Sequence, residues 1–171
     1  MLSVSVFNTM TALKIRPATI HDTAVILQFV RELAIYEEAE HEAVATPEHV
    51  HRTLFCNNPK VFGVICLDGD TPIGFAVYFF NYSTWQGQHG LYLEDLYISP
   101  DHRGKGAGKA MLKHLAGIAV SNDCGRFEWS VLDWNTPSIE FYDKLGASPQ
   151  PEWLRYRMAG QTLKEFALES T

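Results

Sequence analysis

Residues 91–115 read LYLEDLYISPDHRGKGAGKAMLKHL, and the rest of the chain is organised around them. The first part, residues 91–98, is rich in leucine, tyrosine and isoleucine, which predicts a buried strand. Pro100 ends this strand, because its ring sets φ and its nitrogen has no hydrogen to donate. After a glycine-rich loop at residues 103–108, apolar residues recur at helical spacing from Met111 onward, which predicts a helix.

The glycine-rich loop has the composition of an anion site. Glycines let the backbone approach a ligand, and the first amide groups of the following helix favour a negative charge. Arg103 and Lys105 add positive charge. The loop does not match the P-loop pattern, because it is one residue too short and has Ala110 where that pattern has Ser or Thr. It does not match the dinucleotide-binding pattern either, because its third glycine comes one residue too early. The loop alone therefore indicates either a phosphate-binding turn or glycines that serve close strand–helix packing.

Length, charge and cysteine content restrict the class of protein. The chain has 171 residues and a net charge of −6, which predicts one domain and disfavours nucleic acid as a partner. No apolar run has the length of a membrane span, and the 3 cysteines form no C-x-x-C pair. We therefore expect a cytoplasmic protein with reduced thiols. Residues 1–10 lack a signal-peptide pattern and are expected to be a disordered lead-in to a single domain at residues 11–171.

Hydrophobic periodicity predicts the other elements in chain order. A strand at residues 13–16 precedes two helices, of which the first reaches about residue 38 and the second begins at residue 46. Strands at residues 61–67, 73–82 and 91–98 form an antiparallel meander. A strand at residues 126–132, a helix, a last strand at residues 153–158 and a short terminal helix follow. The helix after the meander makes the next strand parallel to it, so we expect an α/β fold with a mixed, mostly antiparallel sheet and helices on both faces.

Four segments together resemble the GNAT superfamily of N-acetyltransferases. They are IRPA at residues 15–18, the YLEDLYI strand, the RGKGAG loop, and WNTPSIEFYDKLGA at residues 134–147. The last three are similar to signatures of the diamine acetyltransferase branch, the spermidine/spermine and thialysine N-acetyltransferases. The resemblance covers about residues 13–158. It implies a GNAT-like α/β (α+β) sheet of about six to seven strands and an acyltransferase that moves an acetyl group from acetyl-CoA to an amine.

The resemblance implies that acetyl-CoA binds along the YLEDLYI strand and the loop. This strand would be bulged and would splay from the strand at residues 126–132, so that its exposed backbone pairs with the pantetheine arm like an added strand. The glycine-rich loop would bind the pyrophosphate. The implied cofactor-binding residues are Leu96, Tyr97, Ile98, Arg103, Gly104, Lys105, Gly106, Ala107, Gly108, Lys109, Asn135 and Ser138.

Acetyl transfer to an amine requires a base for the ammonium and an acid for the departing thiolate. Glu94 is the candidate base, because partial burial beside the cofactor loop would raise its pKa. On a regular strand Glu94 and Asp95 point to opposite faces, so both reach one site only across a β-bulge. Tyr142 is the candidate acid, since a phenol is protonated at neutral pH. The alternatives are a carboxylate satisfied by the backbone or an arginine, and a tyrosine that only packs.

The acceptor is expected to be a small cationic amine. Trp85 could offer a cation–π contact to an alkylammonium. The polyamine enzymes have an acidic residue two positions before that tryptophan, where this chain has Ser83. A missing carboxylate weakens the binding of a long polycation most, which favours a thialysine-like amino acid or a short diamine over spermine. The implied acceptor-binding residues are Tyr36, Glu37, Trp85, Glu94 and Asp95.

Two other functions stay open on the sequence. One is a protein N-terminal or lysine acetyltransferase of the same fold, and the other is a non-catalytic acyl-CoA-binding module. The presence of both Glu94 and Tyr142 argues against the second. The resemblance also implies a homodimer in which the C-terminal parts border each other's acceptor sites. His41, His49 and His51 lack metal-ligand spacing, so no metal is expected.

Overall fold

The computed structural model of the chain describes residues 13–169. The expected lead-in at residues 1–10 lies outside the described residues. By their contacts the residues fall into two units, one that ends at Ser130 and one that begins at Val131. The single domain expected over residues 11–171 stays a prediction.

The first unit is built on a five-stranded sheet with the order β1-β2-β3-β4-β5. All neighbouring strands are antiparallel except β4 and β5, which are parallel. The predicted meander and the parallel crossover are therefore confirmed. The strands are β1 (Leu13–Pro17), β2 (Val61–Asp68), β3 (Thr71–Ser83), β4 (Gln88–Ile98) and β5 (Arg126–Trp129).

Helices cover both faces of this sheet, as expected. On one face Phe29 packs against Phe75 and Tyr97, with ring centroids 5.8 and 5.9 Å away. Side chains alternate along a strand, so the buried Val64 and Cys66 belong to the opposite face, and the helix that contacts β1, β4 and β5 lies there. The helices of this unit are α1 (Thr23–Tyr36) and α2 (Pro47–Leu54) on the first face and α3 (Ala107–Ser121) on the second.

Asp22 holds the corner between β1 and α1. Its carboxylate accepts two hydrogen bonds from the Arg16 guanidinium, both at 2.7 Å. It also accepts one from the Thr19 backbone N–H at 2.7 Å and closes a capping box over residues 19–22. The bond to Arg16 is the main reason that the pKa of Asp22 is lowered to about 2, although burial of the carboxylate opposes the shift. This corner fixes the direction in which α1 leaves the sheet.

The second unit contains α4 (Thr136–Lys144) and α5 (Gly160–Leu168). The predicted strand at residues 153–158 is wrong, and so is the count of six to seven strands, since the sheet formed by the described part of the chain has five. The alternating apolar residues of this segment fit a strand, but a strand also needs a neighbour that offers hydrogen bonds. Within residues 13–169 no strand pairs with it. Its side chains are exposed instead, Tyr156 to 90%.

Candidate active site

Strand β4 carries a β-bulge at Glu94. Leu93 pairs with Tyr78 of β3, and Asp95 pairs with the adjacent Val77, so Glu94 is the extra residue. A bulge interrupts the alternation of faces and redirects the side chains next to it. The predicted bulge is confirmed. It allows two successive carboxylates to serve one site, with Glu94 exposed and Asp95 half-buried.

Strand β4 also loses β5 as a neighbour at this point. Their parallel pairing runs from Gly90 opposite Arg126 to Leu93 opposite Trp129, whereas β4 continues to Ile98. The last part of β4 is therefore not paired with β5, as the predicted splay requires. An open strand edge of this kind can hydrogen-bond an extended ligand.

Three carboxylates influence one another near the bulge. The pKa of Asp95 is raised to about 6, first by burial and then by the charges of Glu94 and Glu37. Glu37 directly follows Tyr36, the last residue of α1, and burial raises its pKa as well. Like charges repel, so a bound cation would lower the electrostatic energy of this group of carboxylates. The structure thus brings together the acidic residues predicted for the acceptor, and a carboxylate with a pKa near 6 can take up a proton at neutral pH.

The glycine-rich loop ends in an accessible helix N-terminus. Gly104 and Gly106 have φ of 70° and 90°, a region that residues with side chains rarely adopt. A Cβ at either position would meet no atom within 4 Å, so conformation rather than close packing requires glycine there. Gly106 is the N-cap of α3, and the amides of the first turn, formed by Ala107, Gly108 and Lys109, have no carbonyl partner within the helix. The loop fits an anion such as a diphosphate.

The two cationic side chains of the loop have different partners. The Nε–H of Arg103 donates to the Ile98 carbonyl at 2.7 Å. Its guanidinium carbon lies 4.8 Å from the ring centroid of Tyr36 and 5.2 Å from that of Tyr97. Lys105 Nζ donates to a backbone carbonyl in the preceding turn at 2.8 Å. The contact of Arg103 with Tyr36 has no signal in the sequence, because Tyr36 lies at the end of α1, far from the loop along the chain.

The second unit holds the other predicted residues on and before α4. Asn135 is the N-cap of α4, and its side-chain oxygen accepts a hydrogen bond from the Ser138 N–H at 3.4 Å. Asn135 is buried, and capping the N-terminus of α4 is a structural role that explains an asparagine at this position. Tyr142 is half-buried, and its ring centroid lies 5.5 Å from that of Phe141. Part of its ring surface is thus accessible, and the catalytic and cofactor-binding roles of these residues stay predictions.

Trp85 lies at the other end of the β3–β4 hairpin from the bulge. The last pair of the hairpin joins Ser83 to Gln88, and Trp85 is in the turn between them, 89% exposed. From Gln88 to Glu94 the strand spans about 20 Å. Within the first unit the structure does not bring Trp85 to the carboxylates, and its contact with the acceptor stays a prediction.

Residues 13–169 contain no group of three or more His, Cys, Asp or Glu side chains that could hold a metal ion. None of the helices described is long and apolar enough to cross a membrane. Cys56, Cys66 and Cys124 are free thiols.

Comparison with known proteins gives consistent matches. The sequence matches the acetyltransferase (GNAT) family over residues 29–147. It is 34% identical over 169 residues to thialysine N-epsilon-acetyltransferase of Mus musculus, which covers 92% of this chain and 99% of that protein. It is 33% identical to spermidine/spermine N(1)-acetyltransferase-like protein 1 of Homo sapiens, over 91% of this chain and 24% of that protein. The structure of an integron cassette protein from the mobile metagenome of V. cholerae matches with a TM-score of 0.78 and 26% identity, covering 93% of this chain and 99% of that one.

Proposed function

Because the chain belongs to the acetyltransferase (GNAT) family and is an acyltransferase, we propose that it transfers the acetyl group of acetyl-CoA to the primary amine of a small cationic acceptor. The carboxylate cluster at the β4 bulge, on the strand that leads into the glycine-rich loop, carries this proposal. A cation site and an anion site on one strand suit a reaction between an ammonium compound and a thioester that bears phosphates.

The donor is proposed to lie along β4 and the loop. Its diphosphate would accept hydrogen bonds from the first amides of α3, and its pantetheine amides would pair with the backbone of residues 96–98. One N–H of this edge would bond the thioester oxygen and polarise the carbonyl. The open edge of β4 and the positive φ angles of Gly104 and Gly106 support this arrangement.

The acceptor arrives as an ammonium ion and has to lose a proton before its nitrogen can attack. We assign this proton to Glu94, directly or through a water molecule, with Asp95 beside it. The raised pKa of Asp95, to which burial and then the charge of Glu94 contribute, supports a site that favours the approach of a positively charged acceptor. As the nitrogen bonds to the carbonyl carbon and the carbon–sulfur bond breaks, Tyr142 gives its proton to the thiolate. The acetylated nitrogen, which is still protonated, then gives a proton to the tyrosinate and restores Tyr142. The carboxylate releases to solvent the proton that it took from the ammonium.

The acceptor is proposed to be short, a thialysine-like amino acid or a short diamine. The relative from Mus musculus is named for thialysine. Ser83 stands where the polyamine enzymes have an acid, and it is 7% exposed with its hydroxyl accepting the Gln86 N–H at 3.3 Å. This serine closes the hairpin turn and offers no charge to the second ammonium of a long polyamine. We therefore expect spermine to be the weaker substrate.

The oligomeric state is proposed to be a homodimer. Large apolar side chains are exposed along the C-terminal segment, and such surfaces mark interaction sites. A second copy of the chain fits, because the resemblance implies that the C-terminal parts of two subunits meet. Light scattering at working concentration is expected to give the mass of a dimer, and a monomer mass would contradict the proposal. The exposed residues are Trp153 (66%), Leu154 (76%), Tyr156 (90%), Phe166 (60%) and Leu168 (83%).

A cytoplasmic location without a nucleic-acid or membrane partner is inferred from the chain's chemistry. The free thiols of Cys56, Cys66 and Cys124 support a reducing compartment, and the net charge of −6 disfavours nucleic acid. Fractionation of cells that express the tagged chain tests the location.

The release of CoA from acetyl-CoA, measured against a panel of amines, tests the proposed function. The panel contains thialysine, short diamines, spermine, and peptides with a free N-terminus or a lysine. We expect the highest kcat/KM with thialysine or a short diamine. Turnover of peptides alone would make the chain a protein acetyltransferase, and CoA binding without turnover of any amine would make it a non-catalytic acyl-CoA-binding module.

A further inference from the structure

Arg103 is the first residue of the glycine-rich loop, but its side chain lies against aromatic rings. The guanidinium carbon is 4.8 Å from the ring centroid of Tyr36 and 5.2 Å from that of Tyr97. These distances are within the range of cation–π contacts. The Nε–H is occupied as well, since it donates to the Ile98 carbonyl at 2.7 Å. Arg103 thus joins the end of α1 to the end of β4.

The surroundings favour a cation at this place for two further reasons. Tyr36 is the last residue of α1, and the C-terminal end of a helix carries a partial negative charge. The second ring, Tyr97, has the Glu32 carboxylate beside its hydroxyl. The pKa of Tyr97 is raised by burial and then by Glu32, while Arg103 lowers it. The guanidinium therefore lies between two rings with a helix end and a carboxylate nearby.

The position of Tyr36 matters because Glu37 follows it directly. Glu37 is one of the two carboxylates whose charges raise the pKa of Asp95. Glu37 is the C-cap residue of α1, where a helix frays most readily. A contact that holds the Tyr36 ring against β4 also holds Glu37 close to the bulge.

We propose that Arg103 is a positioning residue for the acceptor site, which clamps Tyr36 against Tyr97 and so keeps Glu37 beside the carboxylates of the β4 bulge. This inference rests on the proposed function. It assigns the side chain of Arg103 to the acceptor, and it leaves the diphosphate to the backbone amides of the loop and to the lysines. Of the two cationic residues in the RGKGAG loop, Arg103 serves the acceptor and Lys105 serves the donor.

Steady-state kinetics of Arg103→Ala, Arg103→Lys and Lys105→Ala test this division. Loss of the clamp in Arg103→Ala is expected to raise the KM for the acceptor roughly fivefold and to change the dissociation constant of CoA by less than about twofold. Arg103→Lys keeps the charge but loses the planar group and the Nε–H, so it should not restore the acceptor KM. Lys105→Ala is the matched control, and it should weaken CoA binding and leave the acceptor KM unchanged.

The opposite result overturns the proposal. If Arg103→Ala weakens CoA binding and leaves the acceptor KM unchanged, the guanidinium is a phosphate ligand. If Arg103→Lys has the acceptor KM of the wild type, the positive charge alone is sufficient. That result would also refute the proposed clamp. Melting temperatures of all variants show whether they are folded, and should Arg103→Ala be unfolded, Arg103→Lys provides the decisive comparison of the acceptor KM with CoA binding.

A second measurement tests the clamp without any turnover. In the full-length protein, the Nε–H of Arg103 should give a protected resonance in ¹H–¹⁵N spectra, identified by its loss in Arg103→Lys. Tyr36→Leu removes one ring of the clamp and should shift this resonance, whereas Tyr82→Leu, in the exposed part of the hairpin, should not. An unchanged resonance in Tyr36→Leu would refute the clamp. An inactive wild-type enzyme with an intact clamp would instead refute only the proposed function.

Discussion

Asp22 and Asp95 are aspartates of the same unit with opposite surroundings. Asp22 accepts hydrogen bonds from Arg16 and Thr19, and the bond to Arg16 is the main reason that its pKa is lowered to about 2. Asp95 is half-buried near Glu94 and Glu37, and its pKa is raised to about 6, first by burial and then by their charges. A pKa shift is a difference in stability between the folded and unfolded states. At neutral pH the ionised Asp22 therefore stabilises the fold, whereas the ionised Asp95 destabilises it.

This contrast separates a carboxylate that stabilises the fold from one that we propose binds a ligand. The chain meets the hydrogen-bonding needs of Asp22 itself, so a substrate adds nothing there. At the bulge the chain places carboxylates together, and an ammonium group would supply the missing charge. The two regions should consequently respond to substitution in opposite ways.

The largest effect is expected at the chemical step. Tyr142→Phe keeps the ring and removes only the hydroxyl that we assign to the thiolate, so kcat should fall about 10²- to 10⁴-fold. CoA binding and the free energy of unfolding should stay as in the wild type. Tyr82→Phe, at a residue of the β3–β4 hairpin that is 55% exposed, is the matched control. Full activity of Tyr142→Phe would mean that this tyrosine only packs.

Substitution of Asp95 is expected to have the next largest effect on activity. Asp95→Asn should lower kcat/KM for the acceptor about 100-fold, because the site loses both charge and a proton-accepting group. The free energy of unfolding at pH 7 should be unchanged or higher, since repulsion with Glu94 and Glu37 is removed. The exposed Asp70→Asn is the control for both measurements. A less stable Asp95→Asn with normal turnover would place Asp95 with the structural carboxylates.

Asp22→Asn should have the converse effect. At pH 7 the variant should lose about 2 kcal/mol of free energy of unfolding, the value that corresponds to the lowered pKa. Its kcat should be that of the wild type. Since the folded-state pKa is the lower one, the contribution of Asp22 is complete above about pH 4 and is lost as the pH falls towards 2. Urea unfolding across this range should show the two proteins converging, and a constant difference would exclude the ion pair as the cause.

The smallest effect is expected for Glu94→Gln, about tenfold in kcat/KM at pH 7, which is less than a general base usually contributes, because Asp95 remains beside it as a second proton acceptor. If Glu94 takes the proton of the ammonium, this deficit should shrink as the pH rises and more free amine is present. In the wild type kcat/KM should fall below about pH 6, where Asp95 becomes protonated. In Glu94→Gln this fall of kcat/KM should begin at a lower pH, because one of the charges that raise the pKa of Asp95 is gone while its burial remains. A deficit that is the same at every pH would make Glu94 a binding contact only.

Local pattern and resemblance were sufficient for most of the fold and for the glycine-rich loop that precedes α3. The need for glycine at Gly104 and Gly106 follows from positive φ angles, which depend only on the residue and its neighbours. The antiparallel meander follows from short turns, and the parallel β5 follows from the intervening helix. The bulge at Glu94 was implied by the resemblance, and alternation alone would have separated the two carboxylates.

Tertiary structure decided what depends on residues far apart in the chain. Residues 153–158 have the alternation of a strand but pair with no strand within residues 13–169, because a strand requires a partner that the pattern cannot supply. The contact between the Arg103 guanidinium and the Tyr36 ring is a second example, because these two residues belong to segments far apart in the chain. Asp22 and Asp95 are chemically the same residue, and only the arginine beside one and the carboxylates beside the other separate their pKa values.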